Sequence, residues 1–196
     1  MLWTALVCYV DVKPIGPQQS NVGFAALNDF VHRLTGTNML LYYITDWLGL
    51  VPICVVLYFA ACGLVQLIRT RSLWKVDHSI LVLGVFYIVV MAVYILFEYI
   101  VINRRPVLID GYLEPSYPSS TTQLVLCVMP TAIMQANRRI KHPVHKGILV
   151  FVIIVYIAFM LIGRLISGVH WLTDIIGGAL LSAGLVALCR FFWNLQ

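Results

Sequence analysis

The chain has 196 residues, 61% of them hydrophobic and only 11% charged, with a mean hydropathy of +0.93. These values exclude a soluble or disordered chain and point to a multispan membrane protein, most economically one all-α bundle, because a spanning segment must satisfy its own backbone. The net charge of +5 is read loop by loop, since basic residues set topology before they bind any partner.

Met1 to Val10 is apolar but too short to cross a bilayer, which takes ~20 residues. Either the true start lies upstream or this helix is tilted, short or peripheral. The Asp11–Pro17 turn ends it, and Phe24 to Leu34 then mixes apolar residues with Asn28, Asp29, His32 and Arg33, the pattern of an interfacial helix. A long span over 38–68 is interrupted by Asp46, Gly49 and Pro52, and Asp46 reads as a buried or interfacial polar residue. Further spans are expected over about 78–102, 121–136, 147–162 and 170–193, with a polar connector over 103–120. The expected architecture is a polytopic bundle of about six spans, the first one doubtful. One integral-membrane domain covers 1–196, divided into a first helix and interfacial segment (1–37) and a core bundle (38–193).

The five cysteines lie in apolar segments without ligand-like spacing and imply neither a zinc site nor a disulfide framework. Eight of the thirteen basic residues fall in the loops at 69–77 and 137–147 or at Arg190. The positive-inside bias places that group in the cytoplasm, facing anionic headgroups rather than nucleic acid. Arg104, Arg105, Arg164 and His170 then lie at the outer edge of the membrane, where a cluster of cations is better explained by an anion site than by orientation. The stretch Gly163 to Gly178 carries an arginine, a histidine and an aspartate among apolar residues, where ionisable groups are expensive. His170 and Asp174 are four apart, so on a helix they would share one face, with the carboxylate orienting the imidazole. The competing reading is a histidine and an aspartate that cap a helix.

Three segments on that side carry a resemblance: Asn103-Arg104-Arg105-Pro106, Tyr117-Pro118-Ser119-Ser120-Thr121-Thr122, and Gly163-Arg164 through His170 to Asp174. Their order and spacing resemble the type 2 phosphatidic acid phosphatase superfamily of membrane lipid phosphatases, which shares its site with vanadium haloperoxidases. The family pattern is Lys-x6-Arg-Pro, then Pro-Ser-Gly-His, then Ser-Arg-x5-His-x3-Asp, and the last is met in spacing by Arg164, His170 and Asp174. The resemblance implies that His170 is a nucleophile forming a phosphohistidine, with Asp174 on its other ring nitrogen. It also implies that Arg105 and Arg164 clamp phosphoryl oxygens, with Ser119 and the backbone N–H groups of Ser119 and Ser120 binding the rest. No metal or other cofactor is implied. The partners implied are a lipid phosphate or diphosphate and the bilayer of the cell membrane, with the site facing outside; no nucleic acid and no oligomeric state are implied.

The departures from the pattern narrow the expectation. Glu98 stands at the lysine position, Gly163 at the serine, and Thr121 at the histidine that protonates the leaving group. Thr121, Thr122, Arg104 and Glu98 are possible pocket residues. A threonine is no general acid near neutral pH. An alkoxide leaving group is about as basic as hydroxide, whose parent water has a pKa of ~15.7, whereas a phosphate with a second pKa of ~6 leaves without a proton. Loss of the acid therefore favours a diphosphate substrate such as a polyprenyl diphosphate. The alternatives are a weakened lipid-phosphate binder or a phosphotransferase of the same fold.

Overall fold

The computed structural model describes residues 2–195. Eight α-helices follow in order: α1 (Leu2–Tyr9), α2 (Ala25–Thr35), α3 (Met39–Leu48), α4 (Leu50–Thr70), α5 (His78–Tyr99), α6 (Ser120–Arg139), α7 (Pro143–Ile166) and α8 (Leu172–Trp193). Extended pairing among the described residues is confined to isolated bridges. The fold is an all-α membrane bundle.

Local chemistry sets the boundaries. Asn38 caps α3, its side-chain oxygen accepting the Leu41 N–H at 3.0 Å, and Asp77 caps α5 in the same way through Ser79 at 2.9 Å. Pro143 starts α7 at a position where its missing N–H costs nothing. Gly49 separates α3 from α4 but keeps right-handed helical dihedrals, so the two run on as one stretch, Met39–Thr70, of 32 residues.

Among the described residues four stretches are long and apolar enough to cross a membrane: Met39–Thr70, His78–Tyr99, Pro143–Ile166 and Leu172–Trp193. Two of the expected segments are not among them, the doubtful first one and α6. The first helix has only 8 residues. The other difference is α6, which has the length of a span but carries Thr122, Gln123, Thr131 and Gln135 among its nine buried residues. It stands at the centre, packed by α4, α5, α7 and α8, so its polar groups meet protein and not lipid. Apolar cores lie on both sides of it. One joins Phe59, Leu83, Phe86, Cys127 and Cys189; the other joins Val125, Met129, Ile153 and Met160.

The start of α3, the end of α5, the start of α6, the end of α7 and the start of α8 share one end of this bundle. The two N-terminal helices pack against α8. There Trp3 Nε1 donates to the Thr173 carbonyl at 3.3 Å, and the Thr4 and Tyr117 hydroxyls are 2.9 Å apart. The short interfacial segment thus covers the end at which the three sequence motifs meet.

Candidate functional site

His170 sits in the turn between α7 and α8. Gly168 adopts φ +65°, and the chain passes so close to the backbone of Gly36 and Thr37 that a Cβ at this point would collide with it. The turn leaves His170 ahead of the helix, so the expectation that it shares a helical face with Asp174 is corrected. Asp174 is the third residue of α8, and its Oδ2 accepts the Trp171 N–H at 3.0 Å, a capping bond. Its Oδ1 accepts from Asn103 Nδ2 at 3.0 Å. Asn103 in turn joins a buried network with Thr173, Asn28 and the Gly23 N–H.

The imidazole is oriented differently from the expectation. Its Nδ1 lies 3.1 Å from the Ser116 carbonyl, whereas the nearest Asp174 oxygen is 3.9 Å away. At that separation the carboxylate acts through its charge, and the carbonyl fixes the tautomer with the proton on Nδ1. Nε2 is left as the acceptor, buried and without a partner. Burial pushes the imidazole pKa down to about 4, with the Arg105 and Arg164 charges acting in the same direction and Asp174 against them. The ring is therefore neutral at physiological pH.

His170 lines a cavity of about 370 Å³ together with Arg105, Glu98, Glu114, Ser116 and Ser120. Arg105 is nearly buried, with Nε 3.1 Å from Glu114 Oε2 and Nη1 without a hydrogen-bond partner. A second cavity of about 340 Å³ is mostly apolar, lined by Leu50, Ile53, Val90, Met91 and Leu124, with Asp46 and Thr121 at its polar edge. The two cavities have Tyr94, Ser120 and Gln123 in common, so they meet over the N-terminus of α6.

Arg164 is 1% exposed and lines neither cavity, touching the second one only through Thr121 and Asp46. Its Nη2 donates to Thr121 Oγ1 at 2.6 Å and is 3.5 Å from Asp46 Oδ1, while Nη1 reaches Thr45 Oγ1 at 3.4 Å and Nε has no partner. The guanidinium carbons of Arg164 and Arg105 both approach the Tyr42 ring, at 5.1 and 5.8 Å from its centroid. An aromatic face thus holds two cations at one place without neutralising them. The Ser116, Ser119 and Thr122 hydroxyls, all buried, also lack partners. Buried polar atoms are nearly always satisfied, so the unpaired atoms of His170, Arg105 and Ser116, which line one cavity, give it the character of a ligand site.

Other expected residues fall elsewhere. The Ser119 N–H donates to the Asp174 carbonyl at 3.0 Å and is not free for a ligand. Ser120 and Thr121 contribute the first amides of α6, which have no intrahelical acceptor. Arg104 donates to the Leu113 carbonyl at 2.9 Å and lines neither cavity, so it braces the connector. Thr122 also lies outside both cavities, packed against Gly178. Sequence reasoning missed the Ser116 carbonyl, Asn103, Tyr42 and Thr45, and read Asp46 as a plain polar residue. Only Asp46 left a signal, as a carboxylate inside an apolar run.

The sequence model of the PAP2 superfamily matches residues 78–195, more than half of the chain. No curated protein matches the sequence. Among solved structures, the chain is similar to the first transmembrane PAP2 type phosphatidylglycerolphosphate phosphatase from Bacillus subtilis. The two are 22% identical with a TM-score of 0.49, and the likeness covers 88% of this chain and 96% of that one.

Proposed function

The chain belongs to the PAP2 superfamily, and from that premise we propose that it is a membrane lipid phosphatase with a polyprenyl diphosphate as its preferred substrate. The observation that carries the proposal is His170 Nε2, a neutral, unpartnered nitrogen in a cavity with Arg105 and the first amides of α6. A phosphoryl group at the junction of the two cavities meets a nucleophile, the Arg105 guanidinium and a helix N-terminus, with the Arg164 charge held beside Thr121. His170 attacks phosphorus, the bond to the leaving oxygen breaks, and a phosphohistidine forms; catalysis is positioning plus charge stabilisation. The Ser116 carbonyl holds the Nδ1 proton, and Asp174 stabilises the charge that the ring acquires.

The preference for a diphosphate rests on Thr121. Its hydroxyl is an acceptor for Arg164, and it supplies no proton to an alkoxide. The apolar cavity beside Thr121 suits a prenyl chain. We place the site on the extracytoplasmic face of the cell membrane, because eight of the thirteen basic residues lie at the opposite end of the bundle or in its loops.

The test is phosphate release by detergent-purified protein from a polyprenyl diphosphate and from phosphatidic acid, with His170→Ala as control. Release selective for the diphosphate, and lost in the control, is the expected outcome. Equal release from both lipids discards the role given to Thr121. One observation favours a second reading, a lipid-phosphate binder: Arg164 is already engaged by Thr121, Thr45 and Asp46. Folded protein that binds the lipids but releases no more phosphate than the His170→Ala control would establish that reading.

A further inference from the structure

Hydrolysis of a phosphohistidine needs a second step, in which water attacks phosphorus and the P–N bond breaks. An in-line displacement brings that water from the side opposite His170, the space the leaving group has just vacated. The two-cavity arrangement separates those sides. His170, Glu98 and Glu114 line the polar cavity, whereas Thr121 and Asp46 line the apolar one across the shared residues Ser120 and Gln123. Glu98 and Glu114 therefore share the nucleophile's cavity, and Asp46 is the carboxylate that lines the other.

We propose that Asp46 is the general base that activates water for hydrolysis of the phosphohistidine, in place of the histidine that Thr121 displaces. The inference rests on the phosphatase reading above and deepens it. Asp46 Oδ1 and Thr121 Oγ1 are both held on the same nitrogen, Nη2 of Arg164, at 3.5 and 2.6 Å, so the carboxylate is no more than two hydrogen-bond lengths from the hydroxyl at the motif position. Asp46 is supplied by α3, whose residues precede the 78–195 stretch matched by the family, so the family pattern does not include it. Its side chain is 55% exposed and lines the second cavity, so it is not sealed inside the protein.

The step balances as follows. The Asp46 carboxylate takes a proton from water as the water oxygen forms a bond to phosphorus. The P–N bond breaks, and its electron pair returns to Nε2 of His170. Inorganic phosphate leaves, and Asp46 gives its proton to solvent. In the first half-reaction a phosphate leaving group departs without help, so Asp46 is needed only in the second.

That division gives the test a distinct readout. A polyprenyl diphosphate labelled in its terminal phosphate is mixed with wild-type protein, Asp46→Asn, Asp46→Glu and His170→Ala. The reaction is stopped in alkali, where phosphohistidine survives, and protein-bound label is measured beside phosphate release. Asp46→Asn is nearly isosteric at a half-exposed position, so the fold tolerates it. Its steady-state release is expected to fall about 100-fold, within the usual range for removing a general base, while bound label rises towards one per chain. Asp46→Glu keeps a carboxylate and is expected to release faster and carry less label than Asp46→Asn. A structural defect would lower label and release together, and that result would overturn the proposal. Wild-type release with unchanged label in Asp46→Asn would overturn it as well, leaving the phosphatase reading intact. Absence of both release and label in the wild type would overturn the phosphatase reading and this inference with it.

Discussion

His170 shows how burial, helped by nearby positive charge, prepares a nucleophile. An exposed imidazole titrates near ~6.5 and is largely protonated in mildly acidic medium. Burial, with the Arg105 and Arg164 charges acting in the same direction, holds this one down at about 4. Two consequences follow from that direction. The Nε2 lone pair stays available through the mildly acidic range, so the acid limb of kcat/KM due to this group is expected near pH 4 and not near 6.5. A pH–rate profile on a substrate whose own ionisation has been titrated separately checks it, and a limb at 6.5 lost in no other variant would contradict it. Stability follows the same sign. The unfolded chain binds this proton as the pH falls through 6.5 while the folded chain does not, so the contribution is present above that value and is lost as the pH falls towards 4. Thr121 makes the complementary point. Its hydroxyl satisfies a buried arginine at 2.6 Å, a service a histidine at that position would give only in its acceptor form.

Helix contacts account for another departure from the family pattern. Where the pattern has serine before the arginine, α7 has Gly163, and a Cβ there would lie 2.7 Å from Thr45 Cγ2 on α3. The two positions are coupled: the room that a serine would occupy is filled by a threonine whose Oγ1 reaches Arg164. Gly163→Ser is expected to destabilise the protein by about 1–3 kcal/mol through overpacking. Thr45→Ser, which removes the methyl and keeps the hydroxyl, is expected to recover most of that loss in the double variant. Thermal unfolding of the three variants in detergent measures it, and simple additivity of the two changes would refute the coupling. Similar close packing seats the connector on α8, since a Cβ at Gly177 would meet the Tyr117 ring at 2.5 Å. The short side of each pair of elements is what lets the motifs converge.

Across the whole molecule, charge and apolar surface are arranged by end and by face. Arg69, Arg71, Lys75, Arg138, Arg139, Lys141 and Lys146 lie at the end remote from His170, where Asp77 pairs with Arg138 and Arg139 at 3.3 and 3.1 Å. Exposed residues such as Val85, Ile88, Phe151 and Ile154 form the sides of the bundle, as lipid-facing surfaces require. With the site outside, a cysteine at exposed Asp110, in a variant whose native cysteines are replaced, is expected to react with a membrane-impermeant maleimide on intact cells. A cysteine at exposed Lys141 is expected to react only after permeabilisation. The reverse pattern would invert the orientation and move the site to the cytoplasm.

Composition and apolar run length were enough to determine an all-α membrane bundle, because in lipid the backbone leaves so few alternatives. The spacing of Arg164, His170 and Asp174 was enough to indicate the family. The central place of α6 was not legible, because its polar residues owe their tolerance to burial by its neighbours, and hydropathy along the chain is blind to what surrounds a helix. Nor was the bond that orients His170. Four-residue spacing suggested Asp174, but Gly168 turns the chain before α8 begins, and a backbone carbonyl at Ser116, which has no side-chain signature, takes the proton instead. Asp46 is separated from Thr121 by 75 positions, and only the packing of α3 and α6 against α7 brings the two onto one guanidinium group. Local sequence determined which elements form and which motifs they carry; the tertiary structure decided which atoms of those motifs remain unpaired, because pairing depends on neighbours distant along the chain.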